Sequence, residues 1–335
     1  MKKTLKAAVA LSVLTAPAYA ANLENPLYMP QQGSVYSKTS AGVMYKVADD
    51  TEAMVRKEHD GATEFPIWRL HEELGYGILD NLELYLKVGY THDDDIARKG
   101  MHQGRAGLKY RALDTDGWIW DLYADAHLGG VSEMTGSYTA NGFNYDNYSN
   151  GRWGFHVGTQ VGKQIDNFSF AGFIEALRTF GNDNNSIELV SFDLRKMGMG
   201  VVPAAMLGFP DEISVDLKST TEINAGVKAF YQLDDKWSFG AGFTFKHHSD
   251  NGVESLASGD VSAANPLVLA ELLKQVEDME DGFDEYVIGL SAAYQMTDAT
   301  QVAVYGEYTF DDSHSQSQNG TDVKAELGVR LNVQF

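Results

Sequence analysis

Arg105, Lys109 and Arg111 sit at odd-numbered positions between Ala106, Leu108 and Tyr110; ten residues on, Asp121, Asp125 and His127 alternate with Leu122, Ala124 and Ala126. Charges spaced by two share one face of an extended chain. Cations on one strand facing carboxylates on the next set up a transverse field. Such a field sorts ions and polar solutes but makes and breaks no covalent bond. With Ala112 opposite Trp118, the pairing predicts Lys109 against Asp121 and Arg105 against Asp125. With Ile78 opposite Leu82, it sets Glu73 against Lys87. Opposite charges at such cross-strand positions attract.

Groups suited to catalysis are poorly arranged. Asp93, Asp94 and Asp95 could offer oxygens to calcium, but no EF-hand spacing surrounds them and a solvated acidic loop explains them. His247 and His248 point to opposite faces of a strand, so they do not share a metal. No G-x-S-x-G motif is present. His92 beside Asp93, or His59 beside Asp60, imitates the His–Asp dyad of an omptin-like protease only on paper. His71, His127 and His156 face the polar side, whereas a phospholipase-like pair belongs on the opposite side. The expectation is no enzyme, no cofactor and no metal site.

The elements that carry the charges are strands. Leu82, Leu84, Leu86, Val88 and Tyr90 alternate with Glu83, Tyr85, Lys87 and Gly89. Trp237, Phe239, Ala241, Phe243 and Phe245 alternate with Ser238, Gly240, Gly242 and Thr244. About twelve segments show this period of two. Short connections (79–81, 114–117, 163–167, 234–236, 295–299) alternate with long ones (47–64, 91–101, 130–151, 181–219, 249–284, 311–321). Aromatic residues such as Tyr90, Trp118, Tyr231, Trp237, Tyr294, Tyr308 and Phe310 cluster at strand ends. A sandwich buries its apolar row and has no reason to alternate loop lengths. A closed barrel in lipid requires both features and leaves no unpaired edge.

The N-terminus adds location. Lys2, Lys3 and Lys6 precede an apolar stretch from Ala7 to Leu14, and Ala18-Tyr19-Ala20 reads as a signal-peptidase site. Residues 1–20 are therefore expected to be a signal peptide and 21–335 the barrel. Net charge is −21, and losing those three lysines leaves about −24, which excludes nucleic acid as a partner. Cysteine is absent, so no disulfide supports the fold.

With the terminal alternating strand Val323–Phe335, these features resemble a Gram-negative outer-membrane β-barrel along essentially the whole mature chain; no motif attaches a narrower family. The resemblance implies an all-β, antiparallel up-and-down transmembrane barrel of twelve strands, with short periplasmic turns and long extracellular loops. It also implies that Phe335 acts as an assembly signal read by the barrel-assembly machinery, and that lipid and lipopolysaccharide surround the wall.

The expected lumen lining is Arg69, Glu73, Lys87, Arg105, Lys109, Arg111, Asp121, Asp125, Arg152, His156, Glu175, Lys228, Glu285, Glu307, Lys324, Glu326 and Arg330. The leading expectation is a porin-like channel, monomeric or oligomeric, for passive diffusion of small polar solutes or ions, with loop acids favouring cations. The alternative is a non-conducting barrel that meets an outside partner through long acidic loops. The apolar stretch Val201–Phe209 is expected to pack in the mouth, over the barrel or along an extended hairpin. Asn265-Pro266, followed by Leu269, Leu272, Leu273, Val276 and Met279, predicts a capped amphipathic helix.

Overall fold

The structure, a computed structural model, describes residues 22–47, 67–93, 98–128, 143–145, 153–189, 191–193, 200–210, 212–217, 219–249, 253–256, 264–270, 283–311 and 323–335. The segment Met1–Ala20 and the residues Asp94, Asp95, His59, Asp60 and Arg152 lie outside these.

Twelve antiparallel strands close into one barrel. They are β1 Val35–Val47, β2 Ile67–Leu79, β3 Leu82–Asp93, β4 Arg98–Thr115, β5 Trp118–Leu128 and β6 Gly154–Ile165. The circuit continues with β7 Phe168–Thr179, β8 Thr220–Gln232, β9 Trp237–His248, β10 Phe283–Thr297, β11 Thr300–Asp311 and β12 Val323–Gln334. Each strand pairs with its sequence neighbours, and β12 returns to β1 along Tyr36–Gln334 to Val47–Val323. Two backbone bonds between Val35 and Phe335 finish that seam. Phe335 thus still takes part in the closure.

Turn chemistry explains the short connections. Asp116 and Gly117 take positive φ, 51° and 76°, which matches the twist of a two-residue hairpin. The apolar row faces outward: Leu70, Leu84, Trp120, Phe170, Phe239, Leu290 and Leu331 are all exposed. Among the described residues no helix is long and apolar enough to cross a membrane.

The registers hold one confirmation and one correction. Glu73 pairs with Lys87, although the irregularity lies between Gly77 and Leu79, and it is Leu79 that meets Leu82. In β4–β5 the turn is tighter than expected. Thr115 pairs with Trp118, and a bulge between Arg111 and Leu113 absorbs the extra residue. Arg111 therefore meets Asp121, and Lys109 lies opposite Tyr123 rather than Asp121.

At the long-loop end the expected 91–101 connection shrinks to 94–97, because β3 and β4 run on above the barrel. The 181–219 segment extends its hairpin: strands Asn182–Leu189 and Glu212–Leu217 pair, flanked by Phe143–Tyr145 and Val253–Leu256 in a four-stranded sheet. Val201–Pro203 pairs with Ser191–Asp193 and leads into a 3-10 turn, Ala204–Leu207. Ala204, Phe209 and Val268 are buried, and Asn265 N–H donates to the Leu207 carbonyl, joining the two loops. Residues 266–270 are helical, with Asn265 Oδ1 accepting from Leu267 N–H. The predicted continuation through Met279 lies outside the described residues.

The lumen as candidate functional site

The periplasmic half of the lumen is not empty. Residues 22–32, ahead of β1, cross it and are held around its circumference. Asn22 donates to Gln232 of β8 at 2.5 Å and accepts from Gln301 of β11 at 3.0 Å. Glu24 receives Arg330 Nη1 on both oxygens, at 2.9 and 2.8 Å, and Asn332 Nδ2 at 2.8 Å. On the far side Gln160 donates to the Pro26 carbonyl, Arg111 to Leu27 and Lys109 to Tyr28, at 2.6–2.9 Å. Leu27 is buried with Ile119 and Ala171, which face inward from β5 and β7. Gln32 N–H ends the segment on Asp80 in the β2–β3 turn. This latch has one charged clasp and several carbonyl clasps, all on side chains that project inward from the wall.

Above and beside the latch, β2 to β7 present a dense polar wall. Arg111 holds Asp121, fully buried, through Nε at 2.8 Å and Nη2 at 3.2 Å. Lys109 reaches Glu83 of β3 at 2.9 Å. Arg105 pairs diagonally with Asp125 through two 2.8 Å bonds, although His127 is its direct neighbour in register. Asp125 also takes the Tyr85 hydroxyl and faces His156 Nδ1 at 2.8 Å. His156 Nε2 then lies 3.3 Å from Glu175, which accepts from Tyr123 and Asn224. Lys87 and Lys38 share Glu73 at 2.9 and 3.3 Å. Tyr36 bridges Glu73 and Glu83 and leans over Gly75, where any Cβ would collide with its ring.

The opposite wall is bare. One rung runs Lys228, Gly242, Gly289, Glu307 and Glu326 across β8 to β12. A Cβ built on Gly242 or Gly289 meets nothing nearer than 3.6 Å. Ser238, Gly240 and Ser291 keep the wall small elsewhere. Glu326 is tied to Tyr305 and Arg69, while Lys228 and Glu307 remain exposed. Glu285 takes Lys246 at 3.4 Å higher on the wall. Lys324 occupies its place in β12 opposite Lys46, and its side chain lies outside the described set.

The expected residues are thus brought together in two groups: a filled wall from Arg69 to Glu175 with Glu326, and a sparse one with Lys228, Glu285 and Glu307. Arg330 belongs to the latch. What periodicity missed was Asn22, Glu24, Pro26, Leu27 and Tyr28, since an irregular segment has no period; its signal was Leu23, Leu27, Tyr28 and Met29, too apolar for a free tail. Also missed was Glu72. It lies on the outward face between Leu70 and Leu74, with Ser37 and Thr39 donating to its two oxygens at 2.6 and 2.5 Å. A lipid-facing carboxylate is costly, and the two hydroxyls reduce that cost.

No protein-family model and no curated sequence matches the chain. Among solved structures it is similar to an outer membrane channel from Pseudomonas putida F1, with TM-score 0.56 and 12% identity over 96% of this chain and 100% of that one. Weaker likenesses are to a monoaromatic hydrocarbon channel, TodX, carrying a deletion (TM-score 0.48, 9% identity, 94% and 92% covered) and to the NanC porin (0.43, 9%, 89% and 98%). The chain has the fold of an outer-membrane channel, a closed antiparallel barrel of twelve strands.

Proposed function

We propose that this protein is a channel of the bacterial outer membrane for passive diffusion of small polar solutes or ions, with residues 22–32 as its internal gate. The carrying observation is the lumen itself: a charged interior with one bare wall, crossed by a short segment held by a ring of polar contacts around the buried Leu23 and Leu27. Polar clasps exchange for water at small net cost, about 0.5–1.5 kcal/mol each. A segment held this way can leave without unfolding the barrel. Among the described residues nothing in the lumen aligns a nucleophile with a base and a substrate cleft, which supports transport over catalysis.

Signal-peptide removal near Ala20 would free the gate segment to enter the lumen. Phe335, at the seam, is the proposed assembly signal, and lipopolysaccharide the neighbour of the outer wall. The second reading, a non-conducting barrel that binds a partner through its surface sheet, is favoured by the closed latch and by the loop strands at 182–189 and 212–217.

Planar-bilayer recording separates the two. The intact protein should give small or intermittent conductance, and deletion of residues 22–32 should raise it several-fold. No current from either protein across a range of salts overturns the channel reading.

A further inference from the structure

Each lysine of the mid-lumen lies over an aromatic ring: Lys228 over Phe173 at 4.6 Å, Lys87 over Tyr85 and Lys38 over Tyr36, both at 5.2 Å. Lys38 and Lys87 stand on adjoining parts of the wall and share the single carboxylate of Glu73. Lys228 comes from β8, on the other side of the barrel, yet lies within electrostatic range of Lys38, Lys87, Glu73 and Glu175. It has no ion-pair partner among the described residues, and it is exposed although it points inward. Its ammonium therefore stands in open lumen.

Lys38, Lys87, Lys228 and Arg105 outnumber Glu73, Asp125 and Glu175 by one charge, while the exposed carboxylate of Glu307 stands on the same rung beyond Gly289. Glu73 answers one of the three lysines. Asp125 is taken by Arg105, and Glu175 by His156, Tyr123 and Asn224. This occurs in a chain whose net charge is −21, where loop acids alone would predict the opposite preference. Beside Lys228 there is also room, because Gly242 and Gly289 leave the next two positions of the rung without side chains. An ammonium without a protein anion, facing two others that share one carboxylate, binds an oxyanion through charge-assisted hydrogen bonds.

We infer that Lys228, with Lys87 and Lys38, forms an anion subsite above the latch that takes a small carboxylate-bearing solute, seated against Gly242 on the side away from Glu307. The inference rests on the channel reading in one respect: a solute must enter the lumen to meet Lys228. It names the class of solute that lingers there, a small organic anion.

Titration calorimetry of the detergent-solubilised full-length protein with succinate tests the subsite without requiring conduction. Saturable binding is expected, weakened about ten-fold in Lys228→Met through loss of one charge-assisted contact. Gly242→Trp, which keeps the charge but fills the space, should weaken binding at least as much. Lys163→Met, which removes an outward lysine over Trp118, should leave it unchanged. Absence of succinate binding, or equal affinity in Lys228→Met, overturns the subsite even if bilayers show current. Succinate binding by a protein that carries no current would remove the channel reading and leave the subsite standing.

Discussion

The two sides of the lumen are built on opposite plans. From β2 to β7 the inward face carries charges and hydroxyls between its glycines, among them Glu73, Glu83, Tyr85, Asp121, Asp125 and Glu175, each tied to another strand. From β8 to β10 the mid-lumen positions Gly226, Gly240, Gly242, Gly289 and Ser291 are glycine or serine, with Lys228 reaching out among them, and the polar groups Asn224, Lys246 and Glu285 lie nearer the long loops. Both sides have the same strand geometry and the same apolar outer face. The difference shows that the lumen side chains are not needed to make a barrel. They are needed on one side to hold a segment in place, and on the other they are left out so that something else can pass.

The sharpest way to break this comparison is to remove an anchor from the filled wall. Asp121 is fully buried and neutralises Arg111, which in turn holds the Leu27 carbonyl. Asp121→Ala leaves the Arg111 guanidinium with only the exposed Asp114 carboxylate, 3.4 Å away, and the loss should be about 3 kcal/mol of barrel stability. Urea unfolding of the lipid-reconstituted protein measures it. A loss equal to that of a bare-wall substitution such as Ser291→Ala would show that the two sides do not differ energetically. A smaller effect is expected from Glu24→Gln. It keeps the shape of the clasp but removes the charge that Arg330 and Asn332 grip, weakening the latch by about 1.5–3 kcal/mol. Open probability in bilayers should rise about ten-fold or more while unfolding stays nearly unchanged, because the gate and not the barrel is altered. Unchanged gating would move the role of clasp to the carbonyl contacts.

How much of this could be seen in the sequence follows from the range of the interactions involved. Period-two alternation is local, so the strands, their inward faces and the twelve-fold closure were legible from Leu82–Tyr90, Trp237–Phe245 and Val323–Phe335. Register was legible only where the irregularity near the turn happened to offset the turn length. Glu73–Lys87 came out as expected, whereas the bulge at Arg111–Leu113 moved Asp121 from Lys109 to Arg111. The latch was not legible, because Glu24 and its partner Arg330 are 306 residues apart and neither belongs to a shared pattern. Gly242 and Gly289 were visible as inward positions, but their emptiness has meaning only once the opposite wall is known to be full.

On the bare side, register must be held by something other than lumen ion pairs, and the β8–β9 turn is where that help appears. The Asp234 carboxylate accepts from the backbone N–H groups of Lys236 and Trp237 at 2.8 and 2.7 Å, and Leu233 N–H closes on the Trp237 carbonyl. Those two N–H groups, Trp237 first, hold the Asp234 carboxyl below the ordinary aspartate range, where the charged form is the better acceptor. A depressed folded-state value contributes stability above the unfolded value, near 3.9, and the contribution disappears as pH falls through the lowered one. Asp234→Ala should therefore unfold at slightly lower urea than the parent at pH 7, a small effect because the group is fully exposed. At pH 2 and below, the two proteins should converge. The equivalent loss at a turn of the filled wall, Asp80→Ala, should be harder to detect against the ion pairs that hold β2 to β3. A larger loss at Asp80 than at Asp234 would mean that turns, and not lumen side chains, set the register on both sides.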